Sequence, residues 1–476
     1  MRAEAASAYR VGMATNRLSA LDASFLYLEQ PSMHMHVGGV GILDPSDRPG
    51  GVLRFEDLAH VITSRLHLVP RFRQKVVSVP GNVARPVWAD DPDFDVEFHL
   101  RRAALPSPGG RRELADFVQR VASRPLDRSK PLWEMYFIEG LEDGLVAILT
   151  KVHHAMIDGV SAIDIATVLL DFAPEPQIPA PQPWVPEPLP SRNTLLADAV
   201  KEQVRNPVAM AAGTVQSVFR APARLLSGMG GVLGGVREIV GMGTPPKGPF
   251  DGRVGPNRRF AMADSPVQRF KDIKNAAGGT VNDVVLATVA GGLHKLLKSR
   301  KEPTRGRILR AMVPVSVRSE SEKMALGNRV SMLFVELPVG PIDPVNLLHK
   351  ITATTKDLKD SMMAVGADAL MNITRFAPPT LHALAARLAS RGRWFNLVVS
   401  NVPGPPVPMY VAGAKLLVNY PVMPTAENVG LSVAVTSLAG TMGFGFTGDW
   451  DLVPDIDFLA ASFDEAVDEL AKAAGV

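Results

Sequence analysis

Apolar positions alternate with small or polar ones over Met35–Leu43, Trp133–Ile138 and Leu145–Val152, the period of buried or half-buried strands. Phe55–Arg65 and Arg112–Ala122 instead repeat every three or four residues and predict helices. Their interleaving favours a mixed or α/β sheet over a bundle. The same mixture returns from about Phe250. A buried helix is expected at Val281–Leu297, and strands at Arg310–Val317 and Val330–Val339 joined by a polar loop carrying Gly327-Asn328. A short strand at Leu397–Ser400 runs into a Pro/Gly turn, and Asn428–Gly448 reads as a hairpin around Leu438-Ala439-Gly440. Val467, Leu470 and Ala471 behind Ser462 and Glu465 predict a closing helix that starts on a capping box at Ser462.

Between these regions the pattern breaks. In Pro174–Pro188, 7 of 15 residues are proline, the composition of an extended, semi-rigid linker. Beyond it, Leu196, Val200, Val204, Val208, Ala212, Val215 and Phe219 form one apolar helical stripe, divided at Asn206-Pro207. Two readings of this 194–243 arm stay open: a connecting helical arm packed on the second domain, or an interfacial element that dips into a membrane or lipid droplet. The expected organisation is therefore an N-terminal α/β domain over 13–173, a linker and arm over 174–249, and a second α/β domain over 250–476.

With 476 residues, 46% hydrophobic and 21% charged, the chain has the balance of a folded protein of about two domains. Lys+Arg 51 against Asp+Glu 48 leaves +3, and no helix carries a basic stripe interleaved with aromatics, so nucleic acid is not an expected partner. The opening residues contain Glu4 and lack an apolar core, which argues against a secretory signal. The uncharged stretch Trp394–Ala414 holds Pro403, Pro405, Pro406 and Pro408, which a lipid-exposed helix does not tolerate. A cytoplasmic protein without a transmembrane helix is expected, peripherally attached to membrane or lipid droplet. Cysteine is absent, which excludes disulfides, thiolate metal sites and an acyl-cysteine intermediate.

The chemistry concentrates after the strand Leu145–Val152, in His153-His154-Ala155-Met156-Ile157-Asp158-Gly159. Neighbouring strand residues face opposite ways, so the two histidines have different tasks, one toward a cavity and one toward the interior. Gly159 suits a tight turn, and Asp158 is placed to brace the loop. A metal site is disfavoured: the side chains diverge, and no His-Glu-x-x-His or further histidine cluster completes a ligand set. A satisfied pair of core histidines is the bland alternative. A neutral general base that takes a proton from a hydroxyl fits better. No Gly-x-Ser-x-Gly elbow occurs, so direct attack of an acceptor on a bound thioester is more natural than an acyl-enzyme.

The heptapeptide resembles the HHxxxDG signature of CoA-dependent acyltransferases, which include chloramphenicol acetyltransferase and peptide-synthetase condensation domains. A narrower resemblance is to bacterial wax ester synthases/diacylglycerol acyltransferases, in particular the mycobacterial type of triacylglycerol synthase. It is carried by Leu18-Ser19-Ala20-Leu21-Asp22, Pro131-Leu132-Trp133, Asn282-Asp283-Val284-Val285-Leu286-Ala287, Val313–Arg318, Gly327-Asn328 and Ser400-Asn401-Val402-Pro403-Gly404-Pro405, in that order. One departure is Pro249-Phe250-Asp251-Gly252, where the family often has asparagine in place of Asp251; Arg258-Arg259 still matches.

The resemblance implies two α/β domains of the chloramphenicol-acetyltransferase type with a channel between them. It implies His154 as general base, His153 and Gly159 as support, and Asp158 as a brace paired with Arg258 or Arg259. Asn282, Asp283, Ser400, Asn401 and Trp133 are the implied substrate-binding residues, Asn282 and Asn401 near the oxyanion. No permanently bound cofactor or metal is implied. Long-chain acyl-CoA is the co-substrate, with diacylglycerol or a fatty alcohol as acceptor. The product would be triacylglycerol, or alternatively a wax ester or another esterified lipid. A non-catalytic lipid-binding or droplet protein is the rival of another class, and the intact His153, His154, Asp158 and Gly159 weigh against it.

Overall fold

The computed structural model describes residues 16–156, 166, 168–180, 182–205, 243–316, 330–365 and 394–476. In chain order the first part runs helix α1 (Ala20–Leu28), strand β1 (His36–Asp44), helix α2 (Phe55–Arg65), strands β2 (Gln74–Val77), β3 (Val87–Asp90) and β4 (Leu100–Ala104), helix α3 (Arg111–Ala122), strands β5 (Trp133–Glu139) and β6 (Val146–His153), and helix α4 (Arg192–Arg205). Then follow strand β7 (Arg258–Pro266), helices α5 (Val267–Ala277) and α6 (Val281–Ser299), strands β8 (Ile308–Ser316) and β9 (Val330–Pro338), and helix α7 (Pro344–Val365). Strands β10 (Leu397–Val402), β11 (Met409–Val411), β12 (Ala414–Val422), β13 (Leu431–Leu438) and β14 (Thr441–Asp449) precede the closing helix α8 (Ile456–Ala474).

Two six-stranded mixed sheets result, ordered β11-β12-β1-β6-β5-β4 and β7-β14-β13-β10-β8-β9. The first takes strands from both ends of the chain. Residues 409–422 leave the second half, and β12 pairs antiparallel with β1. In the second sheet β10 lies parallel to both β8 and β13, buried between them as a run of Leu397, Val398 and Val399.

Each sheet has its own core, and a third cluster joins them. Helix α3 lays Leu114, Val118 and Val121 against Val40, Ala147 and Leu149 of the first sheet and Phe260 and Met262 of β7. Asp264 of β7 accepts from the Tyr420 hydroxyl of β12 at 2.6 Å and pairs with Arg111 of α3. The sheets also meet backbone to backbone along β14, where glycine alternates with phenylalanine. Phe444 and Phe446 fill the second core, while Gly443 and Gly445 face β12. A Cβ at Gly445 would lie 1.8 Å from the Pro421 carbonyl oxygen, and one at Gly443 would lie 2.1 Å from that of Asn419. Only glycine permits that approach.

Two expectations change. Helix α8 starts at Ile456 and not at Ser462, which is a buried residue inside it; the inward face already runs Ile456, Leu459, Phe463, Val467 and Leu470. A Ser-x-x-Glu spacing also occurs within helices whose serine faces inward, and here it does not mark the helix start. The described part of the arm, α4, packs Leu195 and Ala199 on Val79, Ala84 and Val87 of the first half, not on the second. The remainder of the arm, 206–242, lies outside the described residues. The proline tract is extended and strapped to the same half: Arg65 donates to the Gln177 carbonyl, Glu187 N–H donates to Asp90, and Trp184 packs on Phe94 and the Arg73 guanidinium. Among the described residues, no single helix is long and apolar enough to cross a membrane.

Candidate active site

Strand β6 delivers His153 as its last residue, and His154 opens a short 3-10 turn, 154–156. The strand end is tied on both sides. His153 N–H donates to the Leu132 carbonyl at 3.0 Å, and His154 N–H donates to the Met35 carbonyl at 2.7 Å. The Pro-Leu-Trp motif and the start of β1 thus hold the backbone of both histidines.

Their side chains diverge, as the strand geometry requires. His153 is buried, and its Nδ1 accepts from Ala155 N–H at 3.0 Å. His154 stacks on Phe25 of α1, the ring centroids 3.8 Å apart and the planes inclined by 22°. Burial lowers the His154 pKa to about 4, and the neighbouring His153 pushes in the same direction. A histidine of that pKa is uncharged near neutral pH and keeps a lone pair for a proton.

The opening motif Leu18–Asp22 is a helix start. Ser19 Oγ accepts from Asp22 N–H at 3.1 Å and donates to Asp22 Oδ2 at 2.6 Å, fixing the first turn of α1. Leu18 anchors it in the first core.

Beside this site, at the junction of the sheets, lies a cavity of about 20 Å³ lined by His34, His36, Lys151, Arg258 and Thr447 among others, large enough for a water molecule. Burial lowers the His36 pKa to about 3 and that of Lys151 to about 8. The Lys151 ammonium donates to the Val121 and Arg124 carbonyls at the end of α3, a helix C-cap.

Asn282 and Asn401 come together from distant parts of the chain: Asn401 Nδ2 donates to Asn282 Oδ1 at 3.4 Å. Asn282 sits in the first turn of α6, and Asn401 and Ser400 on β10. Asn401 and Ser400 lie on the second sheet, Asn282 on a helix packed with it, and the histidines belong to the first sheet. Asp158 and Gly159 lie outside the described residues, and so does any pairing of Asp158 with Arg258 or Arg259. Arg258 donates to the Gly255, Asn257 and Ser32 carbonyls, and Arg259 to the Trp450 carbonyl.

Two expected substrate contacts are corrected. Trp133 is 1% exposed; its Nε1 donates to the Phe72 carbonyl at 2.8 Å, and its ring stacks on His99. It is core beneath the histidine strand and presents no surface to a ligand. Asp283 is also 1% exposed, with both oxygens occupied: Oδ2 accepts from Thr280 N–H and Oγ at 2.8 Å, and Oδ1 from Thr355 Oγ1 at 2.7 Å. It caps α6 and ties it to α7. Asp251 holds a turn by accepting from Gly248 N–H and Asn396 Nδ2, contacts that an asparagine oxygen would accept equally.

Sequence reasoning passed over Phe25, Glu29, His36 and Arg128. Glu29, at the end of α1, lies 3.5 Å from His153 Nε2 and 3.4 Å from His36 Nε2 and is held by Arg128. The only local signal was a polar residue closing an apolar helix, followed by two histidines ahead of a glycine-rich strand.

Comparison with known proteins agrees with this layout. A model of the wax ester synthase/diacylglycerol acyltransferase catalytic domain matches residues 18–285, and one of the WS/DGAT C-terminal domain matches 326–471. A Mycobacterium tuberculosis protein named as a candidate diacylglycerol O-acyltransferase is 35% identical over 96% of this chain and 91% of its own length. The wax ester synthase/diacylglycerol acyltransferase of Marinobacter aquaeolei VT8 superposes with a TM-score of 0.71 at 28% identity, covering 97% of this chain and all of that one. The first condensation domain of the CDA synthetase, at 17% identity, shares the fold with a TM-score of 0.56 over 96% of this chain and 95% of its own.

Proposed function

The chain belongs to the wax ester synthase/diacylglycerol acyltransferase family and is an acyltransferase; from that footing we propose that it moves a long-chain acyl group from acyl-CoA to the free hydroxyl of diacylglycerol. The observation that carries the mechanism is His154, a half-buried imidazole stacked on Phe25 at the end of a strand tied down on both sides.

In this mechanism the acceptor oxygen attacks the thioester carbonyl while its proton passes to His154. The tetrahedral intermediate collapses, the carbon–sulfur bond breaks, and the CoA thiolate recovers the proton from the His154 imidazolium. Ester and free CoA leave, and the base is restored. Burial that keeps His154 neutral supports the first transfer, and the weak acidity of a thiol supports the last: an imidazolium in a dry site protonates a thiolate readily. The developing oxyanion needs a donor. Asn282, oriented by Asn401 at the positive end of α6, is the candidate. Asp158 and Gly159 are assigned by the heptapeptide alone, as brace and turn.

The lowered pKa fixes the pH dependence. A base must be unprotonated to act, so kcat/KM should rise with pH through about 4, where His154 titrates, and stay flat between about 6 and 8. An acid limb centred near ~6.5, the ordinary histidine value, would contradict a buried base.

A wax ester synthase is the second reading, favoured by the Marinobacter protein, whose name carries both activities. Product analysis separates the two. With palmitoyl-CoA and equal diolein and hexadecanol, triacylglycerol should dominate; a preponderance of hexadecyl palmitate would reassign the acceptor.

A further inference from the structure

Helix α1 has so far only supplied the ring beneath His154, yet its last turn reaches the other histidine too. The Glu29 carboxylate, 10% exposed, turns under the end of β6. Its Oε2 lies 3.5 Å from His153 Nε2, its Oε1 lies 3.4 Å from His36 Nε2, and Arg128 Nε donates to Oε2 at 2.8 Å. Arg128 Nη2 donates to the same oxygen and to the Leu26 carbonyl, so the guanidinium pins the carboxylate to its own helix. Burial opposes the charge on Glu29, but the approach of His153 and the charge of Arg128 outweigh it and hold the carboxyl far below its ordinary range; His36 Nε2 itself accepts from Leu126 N–H at 3.4 Å.

The protonation of His153 follows from its other side. Nδ1 accepts from Ala155 N–H, so that nitrogen carries no proton. The proton of the neutral ring is then on Nε2, the nitrogen that faces Glu29. Ala155 is the middle residue of the 154–156 turn. A ring with its proton on Nδ1 would set one donor against another there, and the turn would lose its tie. Helix capping does not require the Glu29 side chain, because the cap is made by its backbone N–H to the Phe25 carbonyl.

We infer that Glu29 is a positioning residue for acyl transfer: its carboxylate fixes the tautomer of His153, and His153 fixes the backbone turn that presents His154. The kinetic consequence rests on the acyl-transfer reading above; the tautomer does not.

Two experiments on the full chain test it. Glu29→Gln keeps the size of the side chain and removes its charge. It should lower kcat by roughly 10- to 100-fold, the range for losing a group that orients a functional imidazole, with the KM for palmitoyl-CoA and for diolein within about twofold. Introduced into a His153→Ala background, the same change should cost less than about twofold, because its route of action is already gone. Losses that multiply in the double variant would show that Glu29 acts elsewhere and overturn the inference. Nitrogen NMR of ¹⁵N-histidine-labelled wild type should find His153 protonated on Nε2 alone, and Glu29→Leu should mix the tautomers. A wild-type His153 protonated on Nδ1 would overturn it irrespective of activity. Absence of acyl transfer by wild type would refute the functional reading and leave the tautomer result to decide this one.

Discussion

Replacing His154 by alanine is expected to lower kcat by about 10²- to 10⁴-fold, the usual contribution of a positioned general base, and to leave the affinity for acyl-CoA nearly unchanged. The hydroxyl of an alcohol is a poor nucleophile until its proton has somewhere to go. His154 is an imidazole kept uncharged near neutral pH by its surroundings, on a strand end fixed by the Leu132 and Met35 carbonyls. Truncation also removes the ring that Phe25 covers, so a modest loss of stability accompanies the loss of rate. His154→Gln, which retains volume and polarity without a base, separates the two. It should be nearly as inactive as the alanine variant and closer to wild type in thermal stability. Equal kcat in wild type and both variants, measured by CoA release with diolein as acceptor, would remove His154 from the mechanism.

Gly445→Ala should have the largest effect on stability. The added methyl would stand 1.8 Å from the Pro421 carbonyl oxygen, and its obstacle is backbone, which cannot rotate aside. Strands β12 and β14 must separate, and with them one of the contacts through which the two sheets meet. The cost should be at least the ~1–3 kcal/mol of an overpacked core, read as a fall in Tm and in soluble yield. Activity should fall with it, because the histidines sit on one sheet while Asn401 lies on the other and Asn282 on its helix α6. An unchanged Tm would mean that the sheets do not approach backbone to backbone.

Local patterns were legible where the physics is local. Helix Phe55–Arg65 falls where its periodicity places it, and β1, β5 and β6 lie within a residue or so of their expected limits. The turn at Ala439-Gly440 joins β13 and β14 as the small residues suggested. What the pattern could not carry was partnership. Leu416, Val418 and Tyr420 are buried on one face of β12, but alternation does not say which sheet a strand joins, and this one crosses to β1. The Gly/Phe alternation of β14 was visible as a strand; that its glycines admit another backbone was not.

The site divides in the same way. His153-His154 was recognisable because the heptapeptide is contiguous. Asn282 and Asn401 were named separately, and only the fold brings them within 3.4 Å. Trp133 and Asp283 were read as ligand contacts on the family resemblance of their motifs, with core packing and helix capping as the alternatives. Burial and satisfied hydrogen bonds show them to be supports. Glu29 had only a faint local signal, a polar residue closing an apolar helix: its meaning depends on His153, His36 and Arg128, which reach it from three other parts of the chain.

In the proposed reaction the acyl group passes directly from CoA to a lipid hydroxyl, with no acyl-enzyme between. Pre-steady-state CoA release from palmitoyl-CoA, with and without diolein, tests it most directly. Without acceptor no burst is expected, and with diolein one CoA should be released for each triacylglycerol formed. A burst of CoA without acceptor, equal to the enzyme concentration and leaving palmitate covalently on the protein, would contradict it.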